Sequence, residues 1–130
     1  MSQELIVLCL MALLQPLIMV LAGGAMNRDV GLSWNAGPRD DQPRFSKLTG
    51  RLRRCMANHV ENLPLFIIAV LALELTGRGS GFTAALAWLT LAARTLYIPA
   101  YAFGWTPWRS VIFGIGLAAT LLMILTALLS

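Results

Sequence analysis

Charge is scarce in this sequence. Of its 130 residues only 12% are Asp, Glu, Lys or Arg, about half the share of an ordinary soluble domain. With 58% hydrophobic residues, the chain has too little polar surface to cover a water-soluble core. Histidine and cysteine are nearly absent as well. His59, Cys9 and Cys55 leave no ligand set at metal spacing, so no metal centre is expected. Two cysteines make no disulfide framework; Cys9 falls in an apolar run and Cys55 in a basic segment on the reducing side, so both are expected as free thiols. No internal repeat is present. Lys and Arg are missing from "MSQE" ahead of the first apolar run, and Glu4 stands where a secretory signal is basic. A retained first span is therefore expected, despite the small residues of "LAGGAM".

What is there instead is apolar chain in four runs, roughly 5–25, 60–76, 82–101 and 107–129. Each approaches the ~20 residues with which a helix crosses a hydrocarbon core. Only helices and closed barrels satisfy the backbone there. The expected fold is all-α: a single four-span transmembrane domain over residues 1–130, built as a helix bundle with a loop at 26–57.

The few positive charges are unevenly placed. Arg28, Arg39, Arg44, Lys47, Arg51, Arg53 and Arg54 all lie between the first two spans, against Arg78 alone between the second and third. The positive-inside rule puts that first loop in the cytoplasm and both termini outside. Orientation accounts for the basic excess, and no nucleic-acid partner is expected. The compact chain without an organelle signal suits a bacterial inner membrane.

Local signals punctuate the spans. Gln15-Pro16 should bend the first, with Gln15 meeting the freed carbonyl or a neighbouring helix. The loop "RDVGLSWNAGPRDDQPRF" reads as irregular, and one helix is expected from Ser46 through the second span. "TGRGSG" is a tight hairpin, and Pro99 should bend or stop the third span. Thr106-Pro107 reads as an N-cap followed by proline at the first helical position. "FGIGLAAT" offers a small-residue ridge for packing within or between subunits. Glu74 is expected to reach the outer interface or pair with Arg78, and Trp105 and Trp108 to sit in an interfacial belt.

Within "RLRRCMANHVENLPLF", a helix at ~100° per residue sets Arg54, Asn58 and Glu61 at about −60°, −20° and −80° from Arg51. They share a stripe, from which Arg53 and Glu74 diverge. Flanking arginines anchor a span, but Asn58 and Glu61 are costly inside one unless they face protein or a wet cavity. A purely structural polar contact between helices is the alternative. His59 falls about 100° from Asn58 and should face another helix or the interface. Arg94, Tyr97 and Tyr101 form a second stripe by their three- and four-residue spacing. Topology returns it to the same end, where Arg28 closes the first span and Arg109 opens the fourth. Guanidinium forks suit carboxylates, Glu61 an ammonium, and the start of the fourth span adds backbone donors beside Arg109. A thiol next to Arg109 would become a thiolate nucleophile. The lipid-facing walls would admit an apolar second substrate from the bilayer.

These residues resemble a family. Arg51, Arg54, Asn58 and Glu61 with the proline after them, "ARTLYIPAY", and "PWRS" look like the motifs of the second, third and fourth helices of MAPEG proteins. Those are the membrane-associated proteins in eicosanoid and glutathione metabolism. The resemblance implies a homotrimer holding glutathione, as co-substrate, between neighbouring subunits. Arg51, Arg54, Asn58, Glu61, Arg94, Tyr97 and Tyr101 would bind it, joined by Arg28, while Arg109 would stabilise the thiolate. Ala57 departs from the arginine some members carry there. The implied activity is glutathione conjugation to lipophilic electrophiles or reduction of lipid hydroperoxides. The alternatives are a non-catalytic lipid-binding or scaffold protein on the same bundle and a small multidrug exporter. An exporter of that kind needs a carboxylate within its first span, where this chain has only Glu4 at the edge.

Overall fold

The computed structural model describes every residue except Gln42, which falls in the loop expected to be irregular and lies outside the described residues. Among the described residues five helices follow one another: α1 (Gln3–Val30), α2 (Leu32–Ala36), α3 (Lys47–Thr76), α4 (Gly81–Ala102) and α5 (Trp108–Leu129). All but the short α2 are long and apolar enough to cross a membrane. The bundle's outer surface is apolar too, with Leu13, Val20, Leu75, Leu128 and Leu129 exposed. An exterior of that kind is stable against lipid, not water.

The helix ends follow from local chemistry. The Ser2, Ser46 and Ser80 hydroxyls accept from the N–H groups of Leu5, Thr49 and Thr83, capping α1, α3 and α4. Gly77, at φ 66°, terminates α3 in the left-handed region, and the Arg78 N–H returns to the Leu73 carbonyl.

Several local expectations differ from what forms. The first loop is not irregular from Arg28 on: α1 continues to Val30, and α2 follows a break at Gly31, φ 90°. The end expected near Pro99 does form, at Ala102; proline forfeits one N–H while its carbonyl still accepts from Phe103. Thr106 does not cap α5; its hydroxyl turns back to the Gly104 carbonyl, and Pro107 occupies the cap position. One turn before Pro16, His59 reaches the α1 backbone: its Nε2 lies 3.1 Å from the Met11 carbonyl oxygen. Glu74 accepts from the Ser2 hydroxyl while Arg78 donates to the Ala127 carbonyl, so the two do not pair.

Packing relies on close approach. Phe66, Ala69, Val70 and Leu73 of α3 meet Val7 and Met11 of α1, Leu86 and Ala87 of α4, and Ala119 and Met123 of α5. The ridge at Gly116 packs inside the chain: a Cβ there would sit 3.3 Å from that of Ala93. Dispersion at such short range is the main attraction between helices when lipid is as apolar as the side chains.

Candidate functional site

On α3 the residues Thr49, Leu52, Cys55 and His59 are buried, a helical stripe that docks on α1 and α4. One position before the last three of these stand Arg51, Arg54 and Asn58. The polar stripe therefore runs beside the packed one, about 100° around the helix. It cannot enter the core, and it cannot face away from α4 either. Cys55 itself is a core thiol among Ile18, Tyr97 and Ile98, not a surface one; it and the exposed Cys9 are both unbridged.

Where α3, the end of α4 and the start of α5 meet, two adjoining recesses open. The first, about 260 Å³, is lined by Arg51, Arg54, Tyr101, Gly104, Thr106 and Arg109. The second, about 270 Å³, is lined by Arg54, Ala57, Asn58, Glu61, Tyr97, Tyr101 and Arg109. Arg54, Tyr101 and Arg109 belong to both and form the wall between them. Tyr101 is the hub. Its hydroxyl accepts from Arg54 Nε at 3.1 Å, and the Arg109 guanidinium lies 4.7 Å from its ring centroid. Tyr97 holds Tyr101 edge-on, with ring centroids 5.4 Å apart and planes at 85°. Arg51 reaches the Ala102 carbonyl at 3.5 Å.

Not every expected residue lines these recesses. Arg94 is 6% exposed and stands behind the wall: Nη1 donates to Asn58 Oδ1 at 2.7 Å, and the guanidinium lies 4.8 Å from the Tyr97 ring centroid. Arg28, in the last turn of α1, is exposed and lines neither recess. Two of the backbone donors expected at the start of the fourth span are engaged. The Arg109 N–H bonds the Trp105 carbonyl at 2.8 Å and the Ser110 N–H the Pro107 carbonyl at 3.1 Å.

Gly104 and Thr106 were not anticipated as lining residues. Gly104 adopts φ 66°, and a Cβ there would fall 3.0 Å from the Arg51 guanidinium carbon. Only glycine allows both the turn and that approach. The signal was present as a glycine between Tyr101 and Arg109, where the chain must reverse at the end holding the arginines.

The electrostatics are one-sided. Three guanidiniums face the first recess with no carboxylate among its lining residues, while Glu61 joins two of the same arginines in the second. Among the described residues Glu61 makes no ion pair and no hydrogen bond. Stacked guanidiniums keep their N–H edges free. The arrangement can hold a small ligand with more than one carboxylate and an ammonium, and can stabilise a developing anion beside Arg109.

The chain matches the family model described as MAPEG family over residues 5–129. No curated protein and no solved structure matches it.

Proposed function

Because the chain belongs to the MAPEG family of integral membrane proteins, we propose that it is a glutathione-dependent membrane enzyme acting on lipophilic substrates drawn from the bilayer. One observation carries this reading: seven polar side chains expected from three separate helices line two recesses that share a wall. Glutathione has two carboxylates, one ammonium and a thiol. Arg51 and Arg54 take a carboxylate, Glu61 the ammonium, and Asn58 and Tyr97 the remaining amide and carboxylate groups of the tripeptide. Arg109 faces the thiol. A cation at that position favours the thiolate over the thiol and so supplies nucleophile at neutral pH.

In conjugation, the thiol proton leaves to solvent and the sulfur lone pair forms a bond to an electrophilic carbon. That carbon's leaving group departs with its bonding pair. In hydroperoxide reduction, the thiolate attacks the terminal oxygen and the O–O bond breaks. The alkoxide takes up a proton, and a second glutathione reduces the resulting sulfenic acid, giving the disulfide and water. In both, Arg109 stabilises charge on sulfur, and the tyrosine pair fixes where Arg109 lies.

The chain assembles as a homotrimer, with the first loop cytoplasmic and both termini outside, in a bacterial inner membrane. Arg28 then contributes to glutathione binding from a neighbouring subunit, which accounts for its distance from the recesses of its own chain. The test is ultraviolet difference absorbance of detergent-purified protein with glutathione. Wild type should develop thiolate absorbance; Arg109→Ala should retain binding without it. Wild type that binds glutathione only as the thiol would remove the catalytic reading. It would favour a lipid-binding or scaffold protein on the same bundle.

A further inference from the structure

Arg94 is a cation without an anion. It is buried, no carboxylate lies within ion-pair distance among the described residues, and its Nε is a buried polar side-chain atom with no hydrogen-bond partner. A donor left bare in such a place costs about 1–3 kcal/mol, more on a charged group. Buried polar groups of this kind normally have an ordered water when no protein atom serves.

The space for one is present. A cavity of about 20 Å³ is lined by Arg94 together with Asn62, Thr90 and Thr120 and by apolar side chains including Phe66 and Phe113. One water centre needs ~10–15 Å³ and two to four polar partners. Gly116, also on the lining, brings α5 against this arginine: a Cβ added there would lie 3.9 Å from Arg94 Cδ, the carbon bonded to Nε.

The remaining polar groups decide what occupies it. The Thr90 and Thr120 hydroxyl protons go to the Leu86 and Gly116 carbonyls at 2.9 and 3.0 Å, so both oxygens present lone pairs. Asn62 donates through Nδ2 to the Asn58 carbonyl at 2.8 Å, and among the described residues its Oδ1 accepts from none. Arg94 Nε, the buried donor without a partner, and the second Nδ2 hydrogen of Asn62 thus share the lining with three side-chain oxygens that can accept. An anion would meet lone pairs on most sides, whereas water can accept once and donate twice.

We infer that this cavity holds a single ordered water that accepts from Arg94 Nε and donates to Thr120 and to one of the oxygens of Asn62 and Thr90. Arg94 is then a positioning residue. Its Nη1 fixes Asn58 and its face fixes Tyr97, while the water ties its stem to α5 and keeps the guanidinium from swinging into the recesses. The water is a property of the folded chain and does not depend on glutathione.

The test is a structure of the full-length protein purified in bromide salt, at a resolution that resolves solvent. The expected result is one peak of water weight about 3 Å from Arg94 Nε, with no anomalous bromide signal there. Thr120→Val, which keeps the shape and removes an acceptor, should weaken or abolish the peak. An empty cavity in the wild type, or a bromide ion in it, overturns the inference whether or not the variant folds.

Discussion

Both ends of the bundle carry polar groups, and they treat them in opposite ways. At the far end, Ser2, Gln3, Glu4, Glu74, Gly77 and Gly79 line a recess of about 450 Å³, larger than either one at the basic end. Yet its groups are answered within the chain. Thr83 donates to the buried Glu4, Ser2 donates to Glu74, and Arg78 reaches the Ala127 carbonyl. At the basic end Arg51, Arg54, Arg109 and Glu61 lie around two smaller recesses without an ion pair among them. Their partners are an aromatic ring, a phenol and one long backbone contact. The lesson is that recess size identifies little. Three arginines and a carboxylate gathered on shared walls, with no ion pair among them, set the basic end apart.

Four substitutions test that contrast. The largest effect is expected at Arg109. Arg109→Ala should lower turnover with glutathione by roughly 10²-fold or more, the scale of losing one group that stabilises a developing anion, with a much smaller change in Kd. Steady-state rates beside binding isotherms would separate the two. Arg54→Ala should weaken glutathione binding by about 10–100-fold, as a charge-assisted bond worth ~1.5–3 kcal/mol implies. It also frees Tyr101, so the ring's fluorescence and its response to ligand should change with it.

Thr83→Val sharpens the comparison from the other end. It strips the donor from Glu4, a carboxylate only 4% exposed, and should cost ~1–3 kcal/mol of stability. The melting temperature should fall by several degrees while the Kd for glutathione stays at the wild-type value. A changed Kd would show the ends to be coupled. Smallest of all, Arg78→Ala loses one exposed donor to a helix-terminal carbonyl. It should lower the melting temperature by a degree or two at most, on the scale of a surface change within about 0.5 kcal/mol.

Much of the bundle was legible because membrane spans are written as length and apolar content. The site was legible for a second reason: spacing fixes direction. Arg51, Arg54, Asn58 and Glu61 had to share a face of α3, and the hairpin order of helices brought Tyr97, Tyr101 and Arg109 to the same end. What spacing does not give is depth. Arg94, Tyr97 and Tyr101 belong to one stripe, but helix crossing sets Arg94 behind Asn58 while Tyr101 reaches the open wall. Glu4 stands near a chain end and reads as interfacial; its burial depends on Thr83, from a distant part of the sequence. Turn chemistry misled at Thr106, where the hydroxyl satisfied Gly104 and the helix donors found carbonyls instead.

The most direct test of the central claim is a calorimetric titration of the detergent-purified wild type with glutathione, repeated on Thr83→Val. Saturable binding to both, with the same Kd, is expected, because Arg51, Arg54, Asn58, Glu61 and Tyr97, proposed to hold glutathione, line the recesses of the basic end. A folded wild type with no saturable binding would contradict it, and would leave the seven gathered side chains serving another ligand or the bundle alone.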